Sequence, residues 1–228
     1  MNNGGNMGVI LMAMTIGGLF VAAVLLVISL VTKKTWLRTF VLGGVTTWLA
    51  GYIILLLVAS IFSEEKTLGL NEPKEFCGFY LDCHMHTSVS GVRRTKTIGD
   101  AAANGEFYIV TVKVSSDAKR AQLGLHAPNA QVIDADGRIF ERDRDAENVL
   151  IASATGQPFD GKVPAGGSFE KEIVFDLPTD VKNPRLDVAE GIGIDKVIET
   201  VLIGDEDSLL HKRNYFQLAQ QTETAGVN

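Results

Sequence analysis

The chain is predicted to be a two-helix transmembrane hairpin followed by an all-β immunoglobulin-like antiparallel sandwich with one short helix. Three observations predict this. Two uncharged apolar runs, residues 9–31 and 40–62, flank a short basic connection. Beyond them the chain changes to short segments in which apolar and polar residues alternate. About seven such segments, separated by Gly, Pro and Asp-Gly turns, suit two packed antiparallel sheets.

The hairpin comes first. At about 1.5 Å per residue each run reaches roughly 35 Å as a helix, enough to cross a hydrocarbon core of about 30 Å. Both runs are too long for the apolar region of a secretory signal, and residues 1–8 carry no basic group. As core helices of a soluble protein they would be apolar on every face, which such helices are not. Lys33, Lys34 and Arg38 lie in or beside the connection. Positive charge in short loops is retained on the cytoplasmic side, so residues 33–38 are expected inside, with both termini and the C-terminal domain extracytoplasmic. Trp36 stands where an interfacial ring belongs, whereas Trp48 and Tyr52 lie deeper and are expected to face the partner helix. Gly18/Ala22 and Thr47/Gly51 have the spacing that lets two helices approach closely. Neither span holds an ionisable side chain other than Tyr52, so an ion or proton path has nothing to run on.

The remaining roughly 160 residues suit one domain. Net charge is −6 and falls almost wholly on that part. An acidic domain near an anionic surface argues against nucleic acid or lipid headgroups as the main partner. Residues 63–74 form a polar stalk with Pro73, and the sandwich is expected over 75–218, with a disordered tail at 219–228. Strands are expected at 76–81, 87–92 and 107–114. In the last of these, Tyr108, Val110, Val112 and Val114 share one face. Residues 129–141 make a hairpin about Asp136-Gly137, a pair that type I′ turns prefer. The acids there lack calcium-loop spacing. A short surface helix falls within 142–154, a loop at 156–167, and a strand at 168–177 with Phe169, Ile173, Phe175 and Leu177 on one face. Further strands are expected at 185–188, 197–203 and 215–218.

A resemblance accompanies these strands. Thr97-Ile98-Gly99-Asp100, residues 105–114, 132–140, 164–169 and 173–178 resemble the DUF4352 group of extracytoplasmic immunoglobulin-like domains. The likeness runs from about Thr87 to Leu202. It implies a secreted or membrane-tethered β-sandwich without an assigned active site. The two-span anchor, the cysteine–histidine segment and the charged stretch 205–213 depart from that pattern.

That segment holds Cys77, Cys83, His84, Met85 and His86, and thus both cysteines and half of the four histidines. Soft sulfur and imidazole together are copper or zinc ligands. The spacing fits neither haem attachment nor the binuclear copper loop of oxidase subunits. In a single extended strand Cys77 and Cys83 would stand about 20 Å apart, so both a disulfide and a shared metal require a turn between them. Strand alternation would put His84 and His86 on one face and Cys83 and Met85 on the other. Three states stay open: a structural Cys77–Cys83 disulfide, unlinked thiols, or a metal site of Cys77, Cys83, His84 and His86. His126 and His211 are expected at the surface.

No Ser-His-Asp order, Gly-x-Ser-x-Gly, His-Glu-x-x-His or phosphate loop is present, so no catalytic residue is assigned and no enzyme is expected. Asp205-Glu206-Asp207 with His211-Lys212-Arg213 is expected to be a solvated loop with local ion pairs. The function expected is a non-enzymatic binding module or accessory subunit of an envelope complex, with a protein or membrane-subunit partner and no cofactor. The alternative is copper or zinc handling.

Overall fold

The computed structural model describes residues 4–77, 83–151 and 158–218, and it divides into two compact units. The first comprises residues 1–64 and 193–213, the second residues 65–192 and 214–228.

In the first unit α1 (Gly4–Val31) and α2 (Thr35–Ile61) form the hairpin. Helix α1 begins inside the expected N-terminal tail, and α2 takes in Trp36 and Arg38, leaving only residues 32–34 as the connection. Lys33 adopts a φ of 54° there, while Ser29 Oγ donates to the Lys34 carbonyl at 2.8 Å and closes the turn. Both helices are long and apolar enough to cross a membrane. Large apolar side chains such as Phe20, Val31, Phe40 and Ile54 lie exposed along them, the surface a soluble protein would bury. Trp48 Nε1 donates to Thr15 Oγ1 at 3.0 Å, so Trp48 faces α1 as expected.

Two expectations for the hairpin need correction. A Cβ placed on Gly17, Gly18, Gly43, Gly44 or Gly51 would meet nothing within 4 Å, so these glycines do not pack against the facing helix. Gly8 is the crowded glycine, its would-be Cβ 2.0 Å from the Ile203 carbonyl oxygen. Tyr52 does not turn to α1 either: its hydroxyl donates to the Val201 carbonyl at 2.8 Å.

Those partners belong to residues 193–213, where a strand was expected at 197–203. The structure forms a helix, α4 (Ile194–Val201), instead. Val197, Glu199 and Val201 alternate as a strand does, but Val197/Val201 and Ile198/Leu202 also stand four apart, the helical repeat. The loop after α4 is tied back by Ser60 Oγ to Ser208 Oγ at 3.4 Å and by the Lys212 amide to Ser63 Oγ at 2.8 Å.

The second unit is a two-sheet sandwich. One sheet holds β2 (Lys74–Phe76), β3 (Met85–Ile98), β4 (Ala101–Ser116) and β7 (Ser168–Leu177), in that order and all antiparallel. The other runs β1 (Lys66–Leu68), β9 (Asn214–Gln217), β8 (Arg185–Ala189), β5 (Asn129–Ile133), β6 (Ile139–Glu141). Its β1–β9 pair is parallel, an exception to the antiparallel expectation. The expected stalk 63–74 therefore supplies β1 and the first residue of β2, and Lys74 is buried rather than solvated.

Between the sheets lies a core of Val89, Tyr108, Val110, Val112, Val114, Ile173 and Phe175 against Val132, Leu186, Val188 and Phe216. The opposite face of β4 is also buried: Phe107 and Ile109 pack with Val174 and Ala146 under α3 (Arg144–Ile151). The β5–β6 connection is longer than a type I′ turn. Ile133 pairs with Ile139, only Gly137 in the connection takes a positive φ, and Asp134 Oδ1 accepts from the amides of Asp136 and Arg138. Expected strand residues Phe79, Tyr80 and Leu81, helix residues 152–154 and the tail 219–228 lie outside the described residues.

Candidate functional site

Cys77 follows β2 directly, and Cys83 is separated from β3 by His84 alone. Because β2 and β3 are antiparallel neighbours, with Phe76 opposite Met85, the chain must turn between the cysteines. Their Cα atoms lie 4.0 Å apart and the two sulfurs are joined in a disulfide. The turn requirement of the sequence is thereby met. Of the three open states, the structure has the disulfide, and no free cysteine remains.

The disulfide alters the metal reading. Glu75, Cys77 and Cys83 place donor atoms within 4.8 Å of one another, but the two sulfurs are bonded to each other and offer no thiolate. Cys77 and Cys83 thus leave the expected donor set of Cys77, Cys83, His84 and His86. The two histidines do come together, on a residue the sequence did not single out. His84 Nδ1 lies 2.6 Å from Asp117 Oδ1, and His86 Nε2 lies 3.6 Å from Asp117 Oδ2.

The fold explains this cluster. His86 on β3 pairs with Ser115 on β4, and Asp117 stands one residue past the end of β4, its amide donating to the His84 carbonyl at 3.1 Å. The side chain of His84 is 52% exposed and that of Asp117 63%, so the group faces water. Desolvation pushes the Asp117 carboxyl up, but the hydrogen bond to His84 and the nearby charges of His86 and His84 outweigh it and hold it below the usual range. Two imidazoles and one carboxylate can share a proton or chelate a borderline cation. Only the aligned ends of β3 and β4 reveal Asp117, 33 positions beyond His84.

The other histidines stand apart. His126 is exposed with its amide donating to Glu190 Oε2 at 3.1 Å. His211 belongs to the first unit and places Nδ1 2.8 Å from the Lys212 carbonyl. In the acidic stretch, Asp207 is ion-paired to Lys196 at 2.8 Å and to Arg213 at 2.7 Å. The expected solvated loop is therefore a partly buried network held against α4.

A second feature lies on the hairpin. Met14, Gly18, Ala22, Leu25, Phe40, Gly44 and Trp48 are among the residues lining an apolar groove of about 390 Å³. Its small residues form the floor, which is why a Cβ on Gly18 or Gly44 meets open space.

No curated protein matches the chain at a significant level. Among solved structures, it is similar to MPT63, a secreted protein from Mycobacterium tuberculosis, at 16% identity over 58% of this chain and 93% of that one, with a TM-score of 0.41. The yjhA protein from Bacillus subtilis is similar at 13% identity over 66% and 98%, with a TM-score of 0.42. An uncharacterized beta-sandwich protein from Clostridium difficile 630 is similar at 10% identity over 69% and 97%, with a TM-score of 0.36. None of these descriptions names an enzymatic activity. Residues 82–198, just over half the chain, match the family described as "Domain of unknown function (DUF4352)", and the chain belongs to that family.

Proposed function

We propose that the protein is a membrane-anchored β-sandwich whose hairpin serves as the membrane half of an accessory subunit and whose domain is a non-enzymatic binding module outside. The observation that carries this is the outward-facing groove floored by Gly18, Ala22 and Gly44. Association of helices in lipid relies on close backbone approach over small residues. Since α1 and α2 do not spend these residues on each other, they remain for a third helix. The basic residues Lys33, Lys34 and Arg38 support a connection on the cytoplasmic side, with the sandwich on the other. Exposed Val197, Val201, Leu209 and Leu210 on α4 and its loop suit the lipid beside the hairpin.

A photocrosslinking residue at Val21 or Val45, on the groove, tests this against one at Ile54, away from it. Protein-sized adducts are expected from the groove positions and lipid adducts from Ile54. Lipid adducts alone from all three would overturn the reading.

A second reading has one observation in its favour, the convergence of His84 and His86 on Asp117. It makes the outer domain a copper- or zinc-handling module using these three residues, with the disulfide as a brace. Metal analysis of the oxidised full chain is expected to find about one equivalent, lost in the H84A/H86A variant. A metal-free protein after loading would rule it out.

A further inference from the structure

A cavity of about 300 Å³ opens at the rim of the sandwich, where the loop before β5, the N-terminal part of α3 and the Pro158–Asp160 turn meet β7. Its volume is at the small end of ligand sites. Arg142, Arg144, Glu147, Asp160 and Lys171 contribute the charges, while Phe159 and Pro128 contribute apolar wall.

Lys171 is the anomaly. It sits on β7 opposite Val112 and shares the inward parity of Ile173 and Phe175, yet it carries a charge. Only 7% of it is exposed, and its ammonium, which can donate three hydrogen bonds, makes none among the described residues. Glu147, the carboxylate that faces the same cavity, is already engaged by other donors. Its Oε1 accepts from Arg142 Nε at 2.7 Å and from the Val174 amide at 3.2 Å, and its Oε2 accepts from Arg142 Nη2 at 2.6 Å. That pair is itself buried, each side chain 4% exposed. Arg142 and Glu147 therefore cancel, and Arg142 is further fixed over the Phe159 ring, 5.4 Å from its centroid. Lys171 and Arg144 remain as cations lining the cavity, with Asp160 as its exposed carboxylate. Burial pushes the Lys171 ammonium below the usual lysine range; Glu147 pulls it upward, whereas Arg142 and Arg144 add to the burial. An ammonium on a largely buried side chain, reaching only the cavity and making no hydrogen bond among the described residues, is stabilised by a ligand that supplies charge and acceptors.

We propose that this cavity binds a small organic anion, its carboxylate or phosphate held by Lys171 and Arg144 and its apolar body against Phe159 and Pro128. Inorganic phosphate and benzoate are the probes, each titrated into the full-length protein in detergent at constant ionic strength while thermal unfolding is followed. A saturable rise in Tm is expected with at least one of them; response to phosphate alone assigns a phosphoryl ligand, and response to benzoate alone a carboxylate. Lys171→Met, which removes the ammonium, is expected to unfold no earlier than the parent without probe and to bind roughly ten- to hundredfold more weakly, the loss of one charge-assisted hydrogen bond. Arg144→Gln, at an exposed position, is expected to weaken binding while leaving the fold intact. Absence of any shift with both probes, or an equal shift in Lys171→Met and Arg144→Gln, would overturn the proposal.

Discussion

Lys74 illustrates how much one side chain can hold in this domain. Its ammonium donates to the Val188 carbonyl at 2.6 Å and lies 3.6 Å from Asp187 Oδ1, with both side chains 1% exposed. Breaking such a pair from one side strands the other charge in the interior. Lys74→Met is therefore expected to destabilise the protein by about 3–5 kcal/mol in chemical denaturation, and Lys74→Met with Asp187→Leu to recover most of it. A second residue sets a pH dependence. Burial pushes the Asp205 carboxyl up to about 7, helped by Asp207, Glu199 and Glu206, while a hydrogen bond from the Asp207 amide works against it. The folded state then favours the protonated acid, whereas the unfolded chain ionises near 3.8. Stability contributed by this group is full below that value and is lost as pH rises through about 7. Thermal unfolding of Asp205→Asn at a series of pH values is expected to be flatter across this window than that of the parent. Neither Lys74 nor Asp205 could be recognised beforehand, because the burial of a charged side chain depends on strands and helices far away in sequence. Lys171 did leave a trace, as the one charge interrupting the apolar face of Phe169, Ile173, Phe175 and Leu177.

Among the elements, β4 was legible because its alternation is long and its apolar residues strongly branched or aromatic, and tertiary packing agreed with both. Residues 194–201 misled because their apolar positions satisfy two periods at once; the chain takes the helical one, and the Tyr52 hydroxyl of α2 donates to the carbonyl of Val201, its last residue. The His84–His86 pairing followed from strand parity, whereas Asp117 depended on where β4 ends. Glycines divide in a similar way. Gly105 sits where Asp176 receives its amide at 2.9 Å, and a Cβ there would lie 2.0 Å from the Leu177 carbonyl oxygen. Gly137 has a φ of 79° with open space around it. Gly105→Ala must displace the β4–β7 backbone and is expected to cost about 3 kcal/mol or more. Gly137→Ala meets only left-handed strain of about 1–2 kcal/mol. Equal losses for the two in urea denaturation would contradict the packing described for β4 and β7.

For the whole molecule, the two units pose different physical problems. The sandwich hides its apolar residues between sheets and under α3, so water suits its surface. The hairpin leaves Phe20, Phe40, Ile54 and most of its neighbours exposed, a surface that lipid or another membrane helix would cover. The most direct measurement is cysteine labelling with a membrane-impermeant maleimide in intact protoplasts carrying Thr35→Cys or Glu170→Cys. With the sandwich outside and the connection in the cytoplasm, Glu170→Cys is labelled in intact protoplasts and Thr35→Cys only after permeabilisation. A third cysteine at Asn6 then counts the crossings: for a hairpin it shares the accessibility of Glu170→Cys, and protection there would mean that only one helix crosses. Labelling of Thr35→Cys in intact protoplasts with protection of Glu170→Cys would contradict the orientation outright.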